Sequence, residues 1–520
     1  MKAVFLLFDS LNRKALSCYG GEVPTPNFDR LAARGITFDN HYTGSMPCMP
    51  ARRDHHTGRY NFFHSSWGPL EPFDNSYARL LRAKSDTYCH LVTDHFHYFE
   101  DGGLCYHTTF NTWENIRGQE YDAWKPTLDA DLETLRQQYD PRHYDFRSKE
   151  RAGHKLQHVA NRSEIREEAD FPLAQCFASA FDFLDRARES DNWLLQLECF
   201  DPHEPFHVPD RFARAHKAAH DGMALDWPNY ARVTETEEEV RSIRAKYVAL
   251  VAMCDEYLGR LLDRFDEENL WEDTVLIATS DHGFLLSEHD WWAKVKMPMY
   301  QEVSHIPLII WHPDFADRAG ERRQALTSAV DVLPTLAEIY GAGAPAEAQG
   351  QSLVPLLAAD GPGHEVVLSG VFGGPMLISD GNYAFHYRPQ WLDSTDLYEY
   401  RLLPMHMRGP FSVQELRHME LVQPFSHTKG IELLKIRARD DSKRVPNHDG
   451  IGFEDTETRL YDLRTDPREL TPMRDAAVEA RLLTAAATVM DNHDAPDEMF
   501  RRFNLTRPER KSLSVAGQEA

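Results

Sequence analysis

The sequence lacks any hydrophobic run long enough to cross a bilayer. Its apolar N-terminal run, Ala3–Phe8, is too short for the hydrophobic region of a signal peptide and ends at an acidic residue. Positive charge is also scarce, because 57 Lys and Arg residues stand against 82 Asp and Glu residues, a formal net charge of −25. Such a chain repels nucleic-acid phosphates and anionic lipids. We therefore expect a soluble cytoplasmic protein, with neither nucleic acid nor membrane as a partner.

Paired cysteines are missing as well. The chain contains seven cysteines, an odd number, at irregular spacing and without a CxxC pair. This pattern indicates neither a zinc knuckle nor a disulfide framework.

Short apolar runs alternate with helical patterns over much of the chain. The runs Ala3–Phe8, Trp193–Glu198, Thr274–Thr279 and Ile306–Trp311 are typical of buried strands. The alternation favours an α/β fold with a mostly parallel sheet flanked by helices.

The clearest helix is predicted from about Glu237 to Phe265. Apolar residues recur there at i, i+3 and i+4 spacing. Thr236 and Glu239 have the spacing of a capping box at the start of this helix.

Polar residues follow three of the predicted strands. Asp9 follows the first, His203 comes shortly after the second, and Asp281 and His282 follow the third. Ligands of parallel sheets bind beyond the carboxyl ends of the strands. We therefore expect these four side chains to lie near one another in a functional site.

The pattern of predicted strands and helices changes after about residue 365 and divides the chain in two. We predict a catalytic α/β domain over residues 1–365, with a surface insertion near the site at about 100–170. A smaller α+β domain is predicted over 366–520, with a hairpin, further strands and a helix at about Asp475–Met490. Its last twenty or so residues, which contain Arg507, Arg510 and Lys511, are predicted to be a tail or an arm of a homo-oligomer.

One segment carries a specific motif. Cys48 and Pro50 precede Arg52 at alternate positions, and Thr57 and Gly58 follow after four residues. Pro50 suits the first turn of a helix, so Cys48 would lie near a helix N-terminus, where backbone N–H groups favour an anion. The segment resembles the signature of the sulfatase family at all five positions. The plain alternative is a buried cysteine before an ordinary helix that begins with proline.

The resemblance implies a fold, a modification and a metal. The fold would be alkaline-phosphatase-like, with a smaller C-terminal α+β domain. A separate formylglycine-generating or equivalent maturation enzyme would oxidise Cys48 to formylglycine, whose hydrate is the nucleophile of the family. Asp9, Asp281 and His282, with the modified Cys48, would hold one divalent cation. Ca²⁺ is favoured by the oxygen ligands, and Mn²⁺ or Mg²⁺ is an alternative.

Three further residues match catalytic positions of the family. Arg52 would orient the nucleophile and offset charge, Lys294 would bind the sulfate, and His203 would donate to the leaving group. The plain alternatives are a surface cation for Lys294 and a hydrogen-bonded loop histidine for His203.

The sequence departs from the family pattern in two places. Ser10 follows Asp9 where many members have a second acid, which leaves the metal coordination open. The segment with His95 and His97 lacks the family's Gly-Lys-Trp-His motif, and these two histidines are candidates for substrate contact instead. His64 is a third candidate, with packing beneath the site as the alternative.

The resemblance implies hydrolysis of a small anionic sulfate ester, in the manner of an arylsulfatase. The natural substrate stays open between aryl, sugar and choline-like sulfates. The aromatic residues of the insertion, Trp113, Tyr121 and Trp124, could shape an aryl pocket. The closest rival is a phosphonate monoester or phosphodiester hydrolase with the same site. A binding protein that keeps the fold is another alternative. A two-metal phosphatase of the superfamily would need a larger set of His and Asp ligands, which this sequence does not show.

Overall fold

A computed structural model describes residues 1–218, 222–392, 394–438, 453 and 456–509. The strands among these residues are, in chain order, β1 (Lys2–Phe8), β2 (Ile36–Tyr42), β3 (Tyr88–Thr93), β4 (Thr112–Asn115), β5 (Trp193–Cys199), β6 (Thr274–Ser280), β7 (Leu285–Leu286), β8 (Trp292–Ala293), β9 (Leu308–Trp311), β10 (Arg322–Ser328), β11 (Val367–Gly370), β12 (Met376–Ser379), β13 (Tyr383–Tyr387), β14 (Tyr398–Arg401), β15 (Met405–His406), β16 (Gly409–Pro410), β17 (Glu420–Val422), β18 (Leu433–Arg437) and β19 (Arg459–Asp462).

The α-helices of the described chain are α1 (Pro26–Arg34), α2 (Cys48–Thr57), α3 (Tyr77–Lys84), α4 (Leu104–His107), α5 (Leu132–Gln138), α6 (Lys149–Arg162), α7 (Pro172–Arg186), α8 (Asp210–Ala215), α9 (Glu237–Glu267), α10 (Gln301–Ser304), α11 (Val332–Ile339), α12 (Val354–Ala358), α13 (Val413–Leu416), α14 (Ala476–Asn492) and α15 (Asp497–Phe503).

The central sheet has the strand order β10-β2-β9-β6-β1-β5-β3-β4. Strand β9 is antiparallel to both of its neighbours, and the other pairings are parallel. The predicted α/β class with a mostly parallel sheet is therefore confirmed. Strand β9 begins at Leu308 rather than at the predicted Ile306, since Pro307 between them has no N–H to donate to a neighbouring strand.

Strand β1 lies in the middle of the sheet and is buried on both faces. Leu6 and Phe8 pack in a core cluster with residues of α7 and α9, whereas Phe5 and Leu7 pack with residues of α3 and α11. This two-sided burial explains why the strand is apolar at every position from Ala3 to Phe8.

Helix α9 begins at the predicted capping box. The Thr236 side chain accepts from the Glu239 N–H, and the Glu239 side chain accepts from the Thr236 N–H. Although α9 is the longest described helix, neither it nor any other helix of the described residues is long and apolar enough to span a membrane.

The C-terminal part adds antiparallel sheets to the central one. One sheet has the order β11-β12-β13-β19 and another β14-β18-β17. The predicted hairpin is β12–β13, and the predicted helix is α14, with Asp475 as its N-cap. Leu377 of β12 and Leu482 of α14 share a core cluster with Tyr42 and Met46, so this part packs directly beneath the segment that leads into α2.

The predicted insertion and tail have the following placement. Within residues 100–170, β4 forms the edge of the central sheet beside β3, and the remainder contains α5 and α6. Arg507 donates to Asp491 and Asp497 at the end of the described chain. Arg510 and Lys511 lie outside the described residues. The domain boundary at 365 and the oligomer arm stay predictions.

Candidate active site

The signature segment forms helix α2, which begins at Cys48 and is buried along its whole length. The residue Cys48 is 2% exposed. Gly58 ends the helix with a φ of +67°, which is the left-handed conformation that glycine adopts without strain, and its N–H donates to the Asp54 carbonyl. The glycine of the signature thus serves the end of the helix, and the cysteine lies at its start.

Three parallel strands deliver the other groups to Cys48. Strand β1 lies between β5 and β6 with Phe8 in register with both Cys199 and Ser280, so Asp9 and Asp281 leave the sheet side by side. Asp9, Cys48, Asp281 and His282 each present a potential metal-ligand atom, and these four atoms lie within 4.8 Å of one another. The structure therefore brings together all four residues predicted to hold the metal.

His282 is oriented as a metal ligand. Its Nδ1 lies 2.9 Å from the Gly283 carbonyl oxygen, which only accepts, so Nδ1 carries the proton. The unprotonated Nε2 then faces the cluster, 3.3 Å from the Cys48 Sγ. Burial, followed by the charge of Lys294, lowers the pKa of His282 to about 3. A neutral imidazole held by a backbone carbonyl is the form that metal ions bind.

The two aspartates have opposite charge preferences. Burial, followed by the charge of Asp9, raises the pKa of Asp281 to about 8. Burial also raises the pKa of Asp9, but Arg52 and His203 outweigh it, so the Asp9 pKa lies well below its usual range. Two buried carboxylates side by side and an imidazole lone pair fit a divalent cation, which would allow both carboxylates to ionise.

Arg52 connects three carboxylates beneath the cluster. Its guanidinium donates to Asp9 at 2.9 Å and to Asp281 at 2.6 Å, and a third bond goes to Glu198. It also donates to the Cys48 carbonyl at 3.0 Å. With 1% of its side chain exposed, Arg52 is committed to these partners, and it fixes the positions of Asp9, Asp281 and the Cys48 backbone relative to one another.

Cys48 itself is a poor nucleophile in the thiol form. Burial, followed by the charge of Asp9, raises the pKa of the Cys48 thiol well above its usual value. The reactive form of a cysteine is the thiolate, which this environment disfavours. Without a bound cation, burial and the charge of Asp9 therefore favour the protonated thiol at this position.

Lys294 is linked to the cluster through Ser10. The Lys294 ammonium donates to the Ser10 Oγ at 2.9 Å, and that hydroxyl donates to Asp9 Oδ1 at 2.9 Å. Ser10 thus fills the place of the family's second acid with a hydrogen-bonded bridge. Burial opposes the charge on Lys294, but Cys48, Glu204 and Asp9 outweigh burial and raise the Lys294 pKa above its usual value.

His203 lies beside Lys294 at the same cavity. Its Nδ1 donates to the Glu204 carbonyl and lies 3.3 Å from the Glu204 carboxylate. Burial, followed by the charge of Lys294, lowers the pKa of His203 well below its usual value. The Nε2 atom is therefore unprotonated in the absence of an anionic ligand.

A cavity of about 280 Å³ opens onto these groups. Its wall includes Cys48, His203 and Lys294, and also residues of the 100–170 segment. The full lining is Pro47, Cys48, Trp67, His97, Glu120, Tyr121, His154, Lys155, His203, Glu204, Trp227, Pro228, Asn229, Tyr230, Lys294 and Arg408.

The three tentative histidines have different positions. His97 lines the cavity and its Nδ1 lies 2.6 Å from Glu100. His95 is fully buried behind it, with Nε2 3.4 Å from Asp9 Oδ2. His64 is remote from the lining, because its Nε2 contacts the Asp494 carbonyl oxygen at 3.0 Å. The position of His64 fits the packing alternative.

Several site residues escaped the sequence analysis. Glu198 is the second-last residue of β5 and accepts from both Arg52 and Tyr98. Its only sequence signal is an acid at the end of an apolar strand. Glu120 and Lys155 line the cavity from the segment without clear periodicity, and no local pattern marks them.

A second group of potential ligands occurs among the described residues, formed by His289, Glu302 and Glu469. Both carboxylates already have cationic or hydrogen-bonding partners, Lys14 at 2.5 Å from Glu302 and His386 at 2.7 Å from Glu469. This group ties the turn after β19 to His289, which precedes β8, and to Glu302 of α10, and its role is structural.

The sheet is mostly parallel, a cluster of potential metal ligands lies at the carboxyl ends of its strands, and Cys48 lies at a helix start. This arrangement is that of a hydrolase of the alkaline phosphatase superfamily. The sequence model of the sulfatase family matches residues 2–342, and the chain belongs to that family. The predicted resemblance is thereby confirmed.

Two relatives are identical to this chain at about a quarter of the aligned positions. A protein of Trinickia caryophylli described as the multifunctional alkaline phosphatase superfamily protein PehA is 27% identical over 390 residues, which cover 65% of this chain and 72% of that protein. The N-acetylglucosamine-6-O-sulfatase of Bacteroides thetaiotaomicron is 25% identical over 411 residues, 69% of this chain and 71% of that protein.

Solved structures share the fold. One was determined in complex with its substrate D-glucosamine-2-N,6-O-disulfate and superposes with a TM-score of 0.64 at 17% identity, covering 95% of this chain and 98% of that chain. The phosphonate monoester hydrolase of Agrobacterium radiobacter has a TM-score of 0.61 at 19% identity, with 95% of both chains covered.

Proposed function

We propose that this protein hydrolyses sulfate esters through a formylglycine derived from Cys48, with one divalent cation held by Asp9, Asp281, His282 and the modified Cys48. The observation that carries the proposal is the convergence of these residues with Lys294 at the start of α2, in a chain that belongs to the sulfatase family. When present, the cation and the aldehyde hydrate would supply Lewis acidity and the attacking oxygen.

The remaining chemistry belongs to side chains of the chain. Lys294 offers a buried ammonium to the sulfate and to the charge that develops on the leaving oxygen. A sulfate group beside Lys294 offsets its positive charge, which favours protonation of His203 at Nε2 and so prepares this histidine to donate to the leaving group. Arg52 holds Asp9, Asp281 and the Cys48 carbonyl in place.

Parallel kinetics test the reaction class. With fully modified enzyme, we expect kcat/KM for an aryl sulfate to exceed that for the aryl phosphonate monoester with the same leaving group. The reverse order would replace the sulfatase proposal with the second candidate, a phosphonate monoester or phosphodiester hydrolase. That candidate is supported by Ser10, since the site has one carboxylate fewer than in many sulfatases.

The proposed modification has its own test. In protein produced by the native host, the tryptic peptide that contains Cys48 is expected to have the mass of the aldehyde rather than the thiol. Finding only the thiol would remove the nucleophile and favour the alternative of a binding protein that keeps the fold.

Replacing His282 with alanine is expected to lower the affinity for the divalent cation by about 10- to 100-fold, because it removes the imidazole lone pair from the cluster. Elemental analysis after dialysis against graded metal buffers measures this change. His312→Ala, a buried histidine outside the cluster, is the control and should keep full occupancy. Full occupancy of the His282 variant would exclude this residue as a ligand. The same analysis distinguishes Ca²⁺, which we favour, from Mn²⁺ and Mg²⁺.

The maturation enzyme is part of this proposal, because conversion of the Cys48 thiol to an aldehyde is an oxidation for which the side chains of the site supply no oxidant. Cytoplasmic location and homo-oligomer formation stay predictions of the sequence.

A further inference from the structure

The 100–170 segment gives the cavity a wall of unusual polarity. Glu120 and Lys155 both line the cavity, and the ring of Trp227 lies beside them. The Lys155 ammonium is 3.3 Å from the centre of the Trp227 ring. Among the described residues, neither the Glu120 carboxylate nor the Lys155 ammonium has a hydrogen-bond partner. A carboxyl group and an ammonium group, neither with a hydrogen-bond partner among the described residues, thus line the same cavity.

Glu120 is held in this position by its surroundings. The residue is 8% exposed, and its φ of +44° is a costly conformation for a residue with a side chain. Its carbonyl lies 3.2 Å from the His158 Nδ1, which fixes the backbone. The fold therefore maintains a buried carboxyl at the cavity wall, although that carboxyl accepts no hydrogen bond from the described residues and acts on Lys155 through its charge alone.

The two groups are poorly solvated. Burial, followed by the charge of Glu204, raises the Glu120 pKa well above its usual value. Burial lowers the Lys155 pKa to about 7. A ligand that hydrogen-bonds to both groups would relieve these costs, whereas an apolar ligand would increase them.

We propose that Glu120 and Lys155, together with the ring of Trp227, form a subsite for a hydroxyl-bearing leaving group. This subsite would make the enzyme selective for sugar-type esters over aryl esters, and the inference rests on the ester-hydrolase function proposed above. A hydroxyl both donates and accepts, so neighbouring hydroxyls of a sugar ring satisfy the carboxylate and the ammonium together. The indole of Trp227 lies under the Lys155 ammonium and holds it at the cavity wall by a cation–π contact.

The size of the cavity limits the ligand. At about 280 Å³ it lies at the small end of ligand pockets, which suits one ring rather than an extended oligosaccharide. An aryl group of similar size would fit, but it would leave the carboxyl and the ammonium without partners.

The test compares a hexose 6-sulfate with 4-nitrophenyl sulfate on fully modified enzyme and on the variants Glu120→Gln and Lys155→Met. The methionine keeps the apolar stem over Trp227. We expect the ratio of kcat/KM for the hexose ester to that for the aryl ester to fall by roughly 10- to 100-fold in each variant. Glu150→Gln and Lys149→Met, at the exposed start of α6, are the matched controls and should keep the wild-type ratio.

An unchanged ratio in both cavity variants would overturn the subsite. If the wild-type enzyme cleaves phosphonate monoesters and not sulfates, the same ratio is measured with phosphonate esters of the two alcohols, since the subsite contacts the alcohol part. If it cleaves none of these esters, the proposed function fails, and calorimetric binding of the hexose 6-sulfate decides the subsite. Weaker binding by Glu120→Gln than by wild type would support it, and equal binding would refute it.

Discussion

Replacing Cys48 with alanine is expected to lower kcat/KM by about 10⁴-fold or more, because no other nucleophilic side chain of the described residues occupies the start of α2 beside the metal ligands. Kinetics on the preferred ester, with metal content measured in parallel, separate the loss of the nucleophile from loss of the cation. Cys105→Ala applies the same chemical change to a partly exposed cysteine of α4 and should keep full activity.

Substantial activity of the Cys48→Ala variant would contradict the proposal that the nucleophile is derived from Cys48. A variant with Cys48→Ser discriminates further, since the serine hydroxyl has neither the gem-diol of a hydrated aldehyde nor its route for releasing the ester. We expect it to be as inactive as the alanine variant when no modification of serine occurs in the host.

Replacing Arg52 with leucine is expected to cost about 3–5 kcal/mol of folding free energy, because it leaves buried carboxylates without their cation. Arg52 is 1% exposed and pairs with Asp9, Glu198 and Asp281, so solvent screens these pairs very little. Urea unfolding of chelator-treated protein measures the loss. Excess divalent cation should recover part of it, since the ion offsets the charges of Asp9 and Asp281.

The neighbouring residue supplies the control. Arg53 is also buried, but it pairs with a single carboxylate, Asp74. Arg53→Leu is therefore expected to shift the urea midpoint less than Arg52→Leu. Arg52→Lys should retain part of the stability and less of the activity, because a lysine keeps the charge without the fork that spans the three carboxylates. Equal urea midpoints for the two leucine variants would show that pairing with three carboxylates stabilises the fold no more than pairing with one.

The residues predicted to hold the metal could be found in the sequence because each belongs to a local pattern. Asp9 and Asp281 each follow an apolar run that had to be a buried strand, and parallel strands in one sheet bring such residues to the same edge. Cys48 and Arg52 were marked by the spacing of the signature, which the structure explains as one turn of α2.

Long-range partners were not predictable in the same way. Glu198 is 146 residues from Arg52, and its pairing depends on the order of strands in the sheet. Glu120 and Lys155 approach the cavity only through the packing of the 100–170 segment, where periodicity is weak. His64 looked similar to His95 and His97 in sequence, yet the path of the chain after α2 turns it towards Asp494. The antiparallel direction of β9 could not be predicted either, because four apolar residues in a row are the same in a parallel and in an antiparallel strand.

The enclosure of Cys48 also limits when the proposed modification can take place. Cys48 is 2% exposed at the first turn of a helix buried throughout, and the cavity of about 280 Å³ that opens onto it has room for one ring rather than for a segment of another protein. If Cys48 is modified as proposed, its oxidation would have to come before the chain closes around α2, while this stretch is still extended. A molecule that folds before it meets the maturation enzyme would keep the thiol, and the fraction of active enzyme in a cell would be set during synthesis by the relative rates of folding and modification.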